Sequence, residues 1–386
     1  MRFVHTADWQ LGMTRHFLEG EAQPRYSAAR RDAVAGLRDL AMAAGAEFVV
    51  VAGDVFEDNH LDPRVITQSL EAMRAVGVPV YLLPGNHDPL DASSVYTSAL
   101  FTAECPDNVT VLDRAGVHQV RPGVEIVAAP WRSKRPTTDL VAEVLADLPS
   151  DDVTRIVVAH GGVDVLDPDP TRPSLIRLAA VQDAINRGAV HYVALGDKHS
   201  RTEVAERVWY SGSPEVTNYD DIEPDPGHVL LVDIDETDPA RPVTVEARRV
   251  GRWRFVTLQF QVDNRRDIAD LDMNLDLMTD KDRTVVRLIL TGALSVTDRA
   301  ALDDCLDRYS MLFGWLGLWE RHSDLVVVPA DTEFSDLGIG GFAASAVEEL
   351  VATARSGDPA SAQDAQAALG LLLRLSGGLT AESGAA

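Results

Sequence analysis

The hydrophobic positions of the chain cluster in short runs that are separated by glycine-containing polar segments. Phe48–Val51 is a continuous apolar run, which is the pattern of a strand buried on both faces of a parallel sheet. Similar runs, each predicted to be a strand, are Arg2–Thr6, Val80–Leu83, Arg155–Ala159 and Val190–Leu195. Helical spacing between them, as at about Ser27–Ala44 and from Asp62-Pro63 to about Val76, predicts right-handed βαβ units.

The pattern changes near Val250. A compact β-α-β-α-β order is predicted beyond that point, over Arg254–Val262, Ile268–Met278, Thr284–Leu290, Thr297–Tyr309 and Leu325–Val328. We therefore expect a first domain over residues 1–250, a smaller α+β cap domain over 251–330, and a linker with C-terminal helices over 331–386.

The C-terminal segment carries apolar residues at helical spacing, including Val347, Leu350 and Val351, and then a leucine-rich stretch from Leu369 to Leu375. Two interpretations stay open. The helices pack on their own protein, or they dock on another subunit, because so apolar a terminal helix needs to be covered.

Composition narrows the class of protein. With 386 residues and 46% hydrophobic content, the chain has material for more than one core. No signal pattern or apolar run of membrane length is evident, and the only two cysteines, Cys105 and Cys305, are far apart, so we expect a cytoplasmic protein without a membrane segment. The net charge of −25 argues against tight binding of nucleic acid by this chain alone.

Polar side chains follow five of the predicted strands. Open α/β sheets bind ligands at the carboxyl ends of their strands, so we expect these side chains to meet at one edge. Their carboxylate, imidazole and amide donors suit two divalent ions, with Mn²⁺ favoured and Mg²⁺ as the alternative, and with Asp54 between the two. The candidate metal ligands are Asp8, Gln10, Asp54, Asn86, His160, Asp197 and His199.

At these positions the sequence resembles the calcineurin-like metallophosphoesterases, and in particular the SbcD-type DNA repair exonuclease subunits. The motifs that carry the resemblance are DWQ at Asp8, GD at Asp54, GNHD at Asn86, HGG at His160 and GDKH at Asp197. The opening HTADWQLG and the stretch YSGSPE, Tyr210 to Glu215, resemble the SbcD branch. The resemblance implies an α/β fold: a sandwich of mixed β-sheets flanked by helices, followed by the smaller cap domain and the C-terminal helices.

The resemblance also implies roles for individual residues. One ion would be held by Asp8, Gln10, Asp54 and His199, and the other by Asp54, Asn86, His160 and Asp197. His87 would stabilise the phosphate or protonate the leaving oxygen, and Asp88 would orient the ring of His87 through a hydrogen bond.

Two residues depart from the family pattern, because Gln10 and Asp197 stand where the family usually has histidine. We interpret the site as retained but retuned toward Mn²⁺ or Mg²⁺. Three alternatives stay open: the site has lost function, Gln10 is a loop residue that binds no metal, or Asp197 acts only as a hydrogen-bond partner of His199.

The resemblance implies a phosphodiester hydrolase, and more specifically a DNA exonuclease subunit that acts on DNA ends. It also implies an SbcC-like coiled-coil ATPase partner that binds the C-terminal helices, and it allows a homodimer. Candidate substrate-binding residues are Arg15, His16 and Lys198, which lie close to the motifs in sequence. The alternatives are a phosphatase or phosphodiesterase acting on small nucleotides or phosphoproteins, and a catalytically weakened adaptor for an ATPase partner.

Overall fold

The computed structural model describes residues 1–327 and 342–354, together with residues 361, 364, 365 and 368. The chain divides into two compact units, Met1–Phe255 and Val256–Ala386. Most of the predicted linker and the predicted leucine-rich C-terminal helix lie outside the described residues.

The first unit is built from twelve strands and five α-helices among its described elements. The strands are β1 (Arg2–Thr6), β2 (Phe48–Val51), β3 (Val80–Leu82), β4 (Val109–Val111), β5 (Gly116–Arg121), β6 (Val124–Ala129), β7 (Thr154–His160), β8 (Tyr192–Gly196), β9 (Thr202–Ala205), β10 (Val208–Tyr210), β11 (His228–Ile234) and β12 (Val243–Arg249). The helices are α1 (Ala22–Ala44), α2 (Pro63–Ala75), α3 (Ala99–Glu104), α4 (Leu140–Leu145) and α5 (Leu178–Asn186).

These strands form two six-stranded sheets with the orders β12-β11-β1-β2-β3-β4 and β5-β6-β7-β8-β10-β9. In the first sheet, β1 to β4 run parallel, and β11 and β12 complete it in antiparallel fashion. In the second, β6, β7, β8 and β10 run parallel, and β5 and β9 pair antiparallel at its two edges. Both sheets are therefore mixed.

The apolar run of β2 shows how the two sheets are packed. Phe48 and Val50 belong to a buried cluster with residues of both sheets, among them Ile156 of β7, whereas Val49 and Val51 belong to a second cluster with residues of α1 and α2. A third cluster joins the second sheet to α4 and α5. Strands buried on both faces need apolar residues at every position, so the run follows from its place in the fold. The predicted sandwich of mixed sheets flanked by helices is confirmed.

Local signals fix several helix ends. Asp62 caps α2 by accepting the N–H of Arg64 at 2.8 Å, and Pro63 occupies the first helical position, as the sequence predicts. Helix α1 begins at Ala22, upstream of the predicted start near Ser27, because the first turn of a helix tolerates Pro24.

The second unit contains β13 (Arg254–Gln261), α6 (Arg265–Leu277), β14 (Thr284–Leu294), α7 (Val296–Ser310), β15 (Trp315–Leu318), β16 (Asp324–Val327) and α8 (Phe342–Ala354), with the chain passing into it within β13. β14 is central, flanked by β13 and β15, and it also pairs in parallel with β16. Its core joins Val286 and Leu288 to Leu271 of α6 and Leu302 of α7. β15 is absent from the sequence-based prediction, because WLGL is short and interrupted by Gly317.

No helix in the described ranges is both long and apolar enough to cross a membrane.

His5 lies buried between the two sheets of the first unit. Its Nε2 lies 3.2 Å from the carbonyl oxygen of Leu195, and its Nδ1 lies 3.0 Å from the hydroxyl of Tyr192. A carbonyl only accepts, so Nε2 carries the proton and Nδ1 accepts from the tyrosine. Burial lowers the pKa of His5 to about 3, so the folded protein holds this ring neutral.

We predict that His5 makes the fold sensitive to acid. The neutral ring stabilises the fold fully above its unfolded pKa of about 6.5, and each unit of pH below that value, down to about 3, removes up to about 1.4 kcal/mol. In His5→Gln, whose amide also donates and accepts, the free energy of unfolding should fall less steeply with acid. Urea unfolding between neutral pH and the acid range measures this, with the same substitution at half-buried His118 as control. Equal slopes for the wild type and His5→Gln would contradict the assignment.

Candidate metal centre

Five strand ends from both sheets meet at one place. Asp8 follows β1, Asp54 follows β2, Asn86 follows β3, His160 ends β7, and Asp197 follows β8. His160 Nε2 lies 2.7 Å from Asn86 Oδ1, 3.4 Å from Asp54 Oδ1 and 3.7 Å from Asp197 Oδ1. Residues that are up to 189 positions apart, such as Asp8 and Asp197, are thus direct neighbours.

Three of these residues form a compact set of potential metal donors. One donor atom each from Asp8, Asp54 and His160 lies within 4.8 Å of the others, and all three residues are buried. Two carboxylates and an imidazole in so small a volume suit a divalent cation, which would neutralise the charges and accept the lone pairs.

Gln10 and His199 extend this set on one side. Gln10 Nε2 lies 3.3 Å from His199 Nε2, and Gln10 Oε1 is buried without a hydrogen-bond partner among the described residues. An unsatisfied buried acceptor is costly, and a cation ligand would remove the penalty. The donors present therefore fit a cation, and all seven predicted metal ligands lie in this region.

The backbone at the site is strained. Of the seven non-glycine residues with positive φ in the part of the chain that the structure describes, four are Asp8 (52°), Gln10 (43°), Asp54 (52°) and Asp197 (101°). Such conformations cost on the order of 1–3 kcal/mol each and persist only where the surroundings enforce them. The amide of Gln10 donates to the carbonyl of Asp54 at 2.9 Å, and the amide of Asp197 donates to the Asp8 carboxylate at 3.0 Å, so the loops hold one another.

Three glycines make this close approach possible. A Cβ at Gly53 would lie 2.1 Å from His160 Nδ1, one at Gly85 would lie 2.2 Å from Asp54 Oδ1, and one at Gly196 would lie 2.0 Å from the carbonyl oxygen of Ala52. Real Cβ atoms do not approach so closely, so any side chain here would push the strand ends apart.

The protonation states follow from burial and from the opposed charges. Burial raises the pKa of Asp8 to about 7. Burial would also raise the pKa of Asp54, but the nearby His160 more than offsets this and holds it below the usual range. Conversely, burial disfavours the His160 cation, yet the Asp54, Asp197 and Asp8 carboxylates raise its pKa well above normal. A positive charge would therefore stabilise the cluster.

The structure corrects the expected pairing of His87 with Asp88. The ring of His87 donates from Nδ1 to the carbonyl of Glu57 at 2.9 Å. Asp88 is buried and accepts instead from the amides of Gly85 and Phe56, at 2.8 and 3.0 Å, and from the hydroxyl of Tyr96 at 2.5 Å. The expected contact fails because the carboxylate turns inward to satisfy buried donors. Asp88 therefore fixes the loop, and Glu57 orients the ring.

The three candidate substrate-binding residues have different surroundings. Arg15 donates from its guanidinium to the carbonyl of Thr217 and so ties two loops together. His16 is exposed, with its ring edge-on to Phe17. Lys198 is exposed between the candidate ligands Asp197 and His199.

One residue at the site escapes sequence reasoning. Glu223 is buried and accepts a hydrogen bond from His199 Nδ1 at 2.6 Å. It lies in an acidic, proline-containing loop over residues 220–227, rather than at a strand end, so no motif or periodicity singles it out. Only the folded chain brings it to His199.

A family model described as calcineurin-like phosphoesterase matches residues 1–223, and the chain belongs to that family. Membership agrees with the sheets, with the donor cluster and with a metal-dependent hydrolase of phosphate esters. The resemblance noted from the motifs is confirmed at this level.

Relatives within the family match over shorter stretches. The chain is 33% identical over 91 residues to DNA double-strand break repair protein Mre11 of Archaeoglobus fulgidus, which covers 23% of this chain and 19% of that protein. It is 33% identical over 96 residues to the SbcD component of the nuclease SbcCD of Rhodobacter capsulatus, with 23% and 22% covered. It is 25% identical over 121 residues to the uncharacterized metallophosphoesterase YhaO of Bacillus subtilis, with 30% and 28% covered. The matched stretches thus span less than a third of each relative.

Solved structures with similarity to the chain include TT1561 of Thermus thermophilus, at a TM-score of 0.40 and 13% identity, covering 64% of this chain and 98% of that one. A dimetal phosphatase from Danio rerio matches at a TM-score of 0.41 and 15% identity, with 64% and 96% covered.

We predict that Gly53→Ala is more damaging than its backbone conformation alone explains. Gly53 and Gly116 have φ of 95° and 102°, but a Cβ at Gly116 meets nothing within 4 Å, whereas one at Gly53 meets the His160 ring. Gly116→Ala should lose about 1–2 kcal/mol through backbone strain. Gly53→Ala should lose a further ~1–3 kcal/mol through overpacking. Denaturant unfolding of both variants measures the difference, and equal losses would show that the contact with His160 does not matter.

Proposed function

We propose that this chain is a phosphodiester hydrolase that uses two divalent cations, with Mn²⁺ favoured, and acts on DNA ends as the exonuclease subunit of an SbcCD-like repair complex in the cytoplasm. The observation that carries the hydrolase part is the convergence of oxygen and imidazole donors from five strand ends on one buried cluster. The relatives named for DNA repair and nuclease activity support the choice of substrate.

In this proposal one cation is held by Asp8, Gln10, Asp54 and His199, and the other by Asp54, Asn86, His160 and Asp197. When bound, the cations would supply Lewis acidity and lower the pKa of a coordinated water. The unsatisfied oxygen of Gln10 and the short distance between His160 and Asn86 support these assignments.

His87 is the proposed catalytic residue of the chain itself. Because its Nδ1 donates to the carbonyl of Glu57, its Nε2 is left to face the cluster, where it lies 3.9 Å from Asp54 Oδ2. Its side chain keeps 36% exposure, so a bound phosphate can reach it. In the imidazolium form, with Nε2 protonated as well, His87 can stabilise a phosphoryl oxygen or give the Nε2 proton to the leaving oxygen. Asp88 supports it by holding the Gly85 and Phe56 amides.

The net charge of −25 shapes the rest of the proposal. DNA would be repelled over most of the surface, so the cations would have to hold the DNA phosphate at the site, and a partner that supplies positive charge would strengthen the binding. We propose an SbcC-like coiled-coil ATPase as that partner, engaged through the C-terminal helices, and the proposal allows a homodimer. The same charge favours a second candidate, a phosphodiesterase or phosphatase for small nucleotides or phosphoproteins, which needs no long contact with DNA.

A substrate panel separates the two candidates. With Mn²⁺ present, the purified full chain should shorten linear double-stranded DNA from its ends and leave closed circular DNA intact. Gel analysis of the products, beside a colorimetric assay with bis(p-nitrophenyl) phosphate, measures both activities. Hydrolysis of the small diester without degradation of DNA would favour the small-substrate enzyme, and loss of both would contradict the hydrolase proposal.

We predict that His87→Ala lowers kcat by about 10²- to 10⁴-fold, because it removes a proton donor, while the bound metal content stays unchanged. Elemental analysis and steady-state kinetics measure the two quantities on the same preparation. His118→Ala is the control and should keep both, because His118 is half-buried in β5 and its one described side-chain hydrogen bond goes to the carbonyl of Arg114. Loss of metal from His87→Ala would show that His87 is a ligand.

A further inference from the structure

Glu223 is a buried carboxylate with four hydrogen bonds. Its Oε2 accepts the amides of Thr217 and Asn218 at 2.9 and 2.8 Å. Its Oε1 accepts from the hydroxyl of Thr217 and, at 2.6 Å, from His199 Nδ1. Each of its oxygens is thus occupied by two donors, which fixes the carboxylate in one orientation.

These contacts decide which nitrogen of His199 carries the proton. A carboxylate oxygen at 2.6 Å requires a proton on Nδ1, so in the neutral ring, which is the form that can bind a cation, Nε2 holds the lone pair. That lone pair faces the cluster, where the amide of Gln10 lies 3.3 Å away. Histidines that bind metals usually depend on such a partner on the opposite nitrogen, which fixes both the tautomer and the ring orientation.

We propose that Glu223 is a positioning residue of the metal centre: it holds His199 in the tautomer and orientation in which Nε2 can bind a cation. The inference rests on the proposed function only in that the site takes a cation. It adds a role that does not depend on the substrate, on His87 or on the number of ions.

The loop that donates hydrogen bonds to Glu223 is itself held in place by Arg30. Thr217 and Asn218 lie on a loop whose neighbouring carbonyl, that of Val216, accepts from the buried guanidinium of Arg30 at 3.0 Å. Arg30 also donates to the carbonyl of Trp9 at 2.8 Å, between the candidate ligands Asp8 and Gln10. The loop of Glu223 and the loop of Asp8 are therefore tied to the same point on α1, so His199 is aligned with the other donors.

The substitution Glu223→Gln tests the proposal because its amide cannot reproduce all four contacts. Its oxygen has to face the two backbone amides, since an NH₂ group cannot accept from them. The NH₂ group then faces His199 Nδ1, and the Thr217 hydroxyl, which lies 2.7 Å from the same Nδ1, loses the carboxylate oxygen that accepted its proton. Two donors then point at Nδ1, which becomes an acceptor, and the imidazole proton moves to Nε2. The substitution keeps the shape of the side chain while it reverses the tautomer.

The chain offers a matched control. Glu215 is also buried, lies in the same loop region and accepts two backbone amides, those of Arg252 and Trp253, at 2.7 and 3.1 Å. No hydrogen bond described for its side chain goes to a candidate ligand. Glu215→Gln therefore carries a comparable loss of buried charge without the contact to His199.

The first measurement is the ¹⁵N spectrum of the imidazoles in the metal-free full chain, recorded at a pH alkaline enough for the His199 ring to be neutral, with the His199 signals identified by their loss in His199→Gln. We expect protonated Nδ1 and bare Nε2 in the wild type and in Glu215→Gln, and the reverse in Glu223→Gln. The second is a Mn²⁺ titration by isothermal calorimetry, in which Glu223→Gln should bind about 10- to 100-fold more weakly and Glu215→Gln unchanged.

A folded Glu223→Gln protein with wild-type tautomer and Mn²⁺ affinity would overturn the proposal. If that variant does not fold, the wild-type spectrum decides, because a proton on Nε2 contradicts the proposal and a proton on Nδ1 supports it. A wild type that binds no Mn²⁺ would instead refute the proposed function, and the tautomer would still report on Glu223.

Discussion

The burial of two carboxylates beside one imidazole is the constraint on which the rest of this structure depends. Asp8 and Asp54 lie beside His160 in a region that water hardly reaches, where like charges repel and ionisation is costly. The pKa values of Asp8 and of His160 express this conflict, because both are raised: burial favours a proton on the Asp8 carboxyl, and the surrounding carboxylates favour the proton that the imidazole holds. A cation in the cluster would resolve the conflict, because positive charge is what the surrounding oxygens lack.

The sandwich supplies the rigidity that this arrangement needs. Four of the candidate ligands have left-handed backbone conformations, which residues other than glycine rarely adopt. They are held because the strands before them are buried on both faces and because the loops after them hydrogen-bond to one another. The strain at the site is therefore balanced by packing elsewhere, in residues such as Phe3 and Phe48, whose rings stack at 5.1 Å.

The sequence allows much of this to be predicted, and the reasons for success and failure are physical. Phe48–Val51 predicts a strand buried on both faces, because the layers packed on the two faces of the sheet exclude polar side chains. Parallel strands of this kind place their carboxyl ends at one edge, which predicts that Asp54 and His160 meet there. The roles of Asp88 and Glu223 could not be predicted in this way, because they depend on where a side chain turns after a loop closes. Arg15 has the charge of a phosphate ligand, yet it ties down the carbonyl of Thr217. The sequence does not predict strand β15, because four residues interrupted by Gly317 carry too little periodicity.

The division of the donors between two sheets has a consequence for how the protein matures. Asp8, Asp54 and Asn86 follow strands of the first sheet, whereas His160 and Asp197 come from the second. Neither sheet alone assembles the donor cluster, so a folding intermediate with one sheet formed would have little affinity for an ion. A cation would therefore bind late in folding, after the two sheets have packed against each other. Once bound, it would stabilise the contact between them.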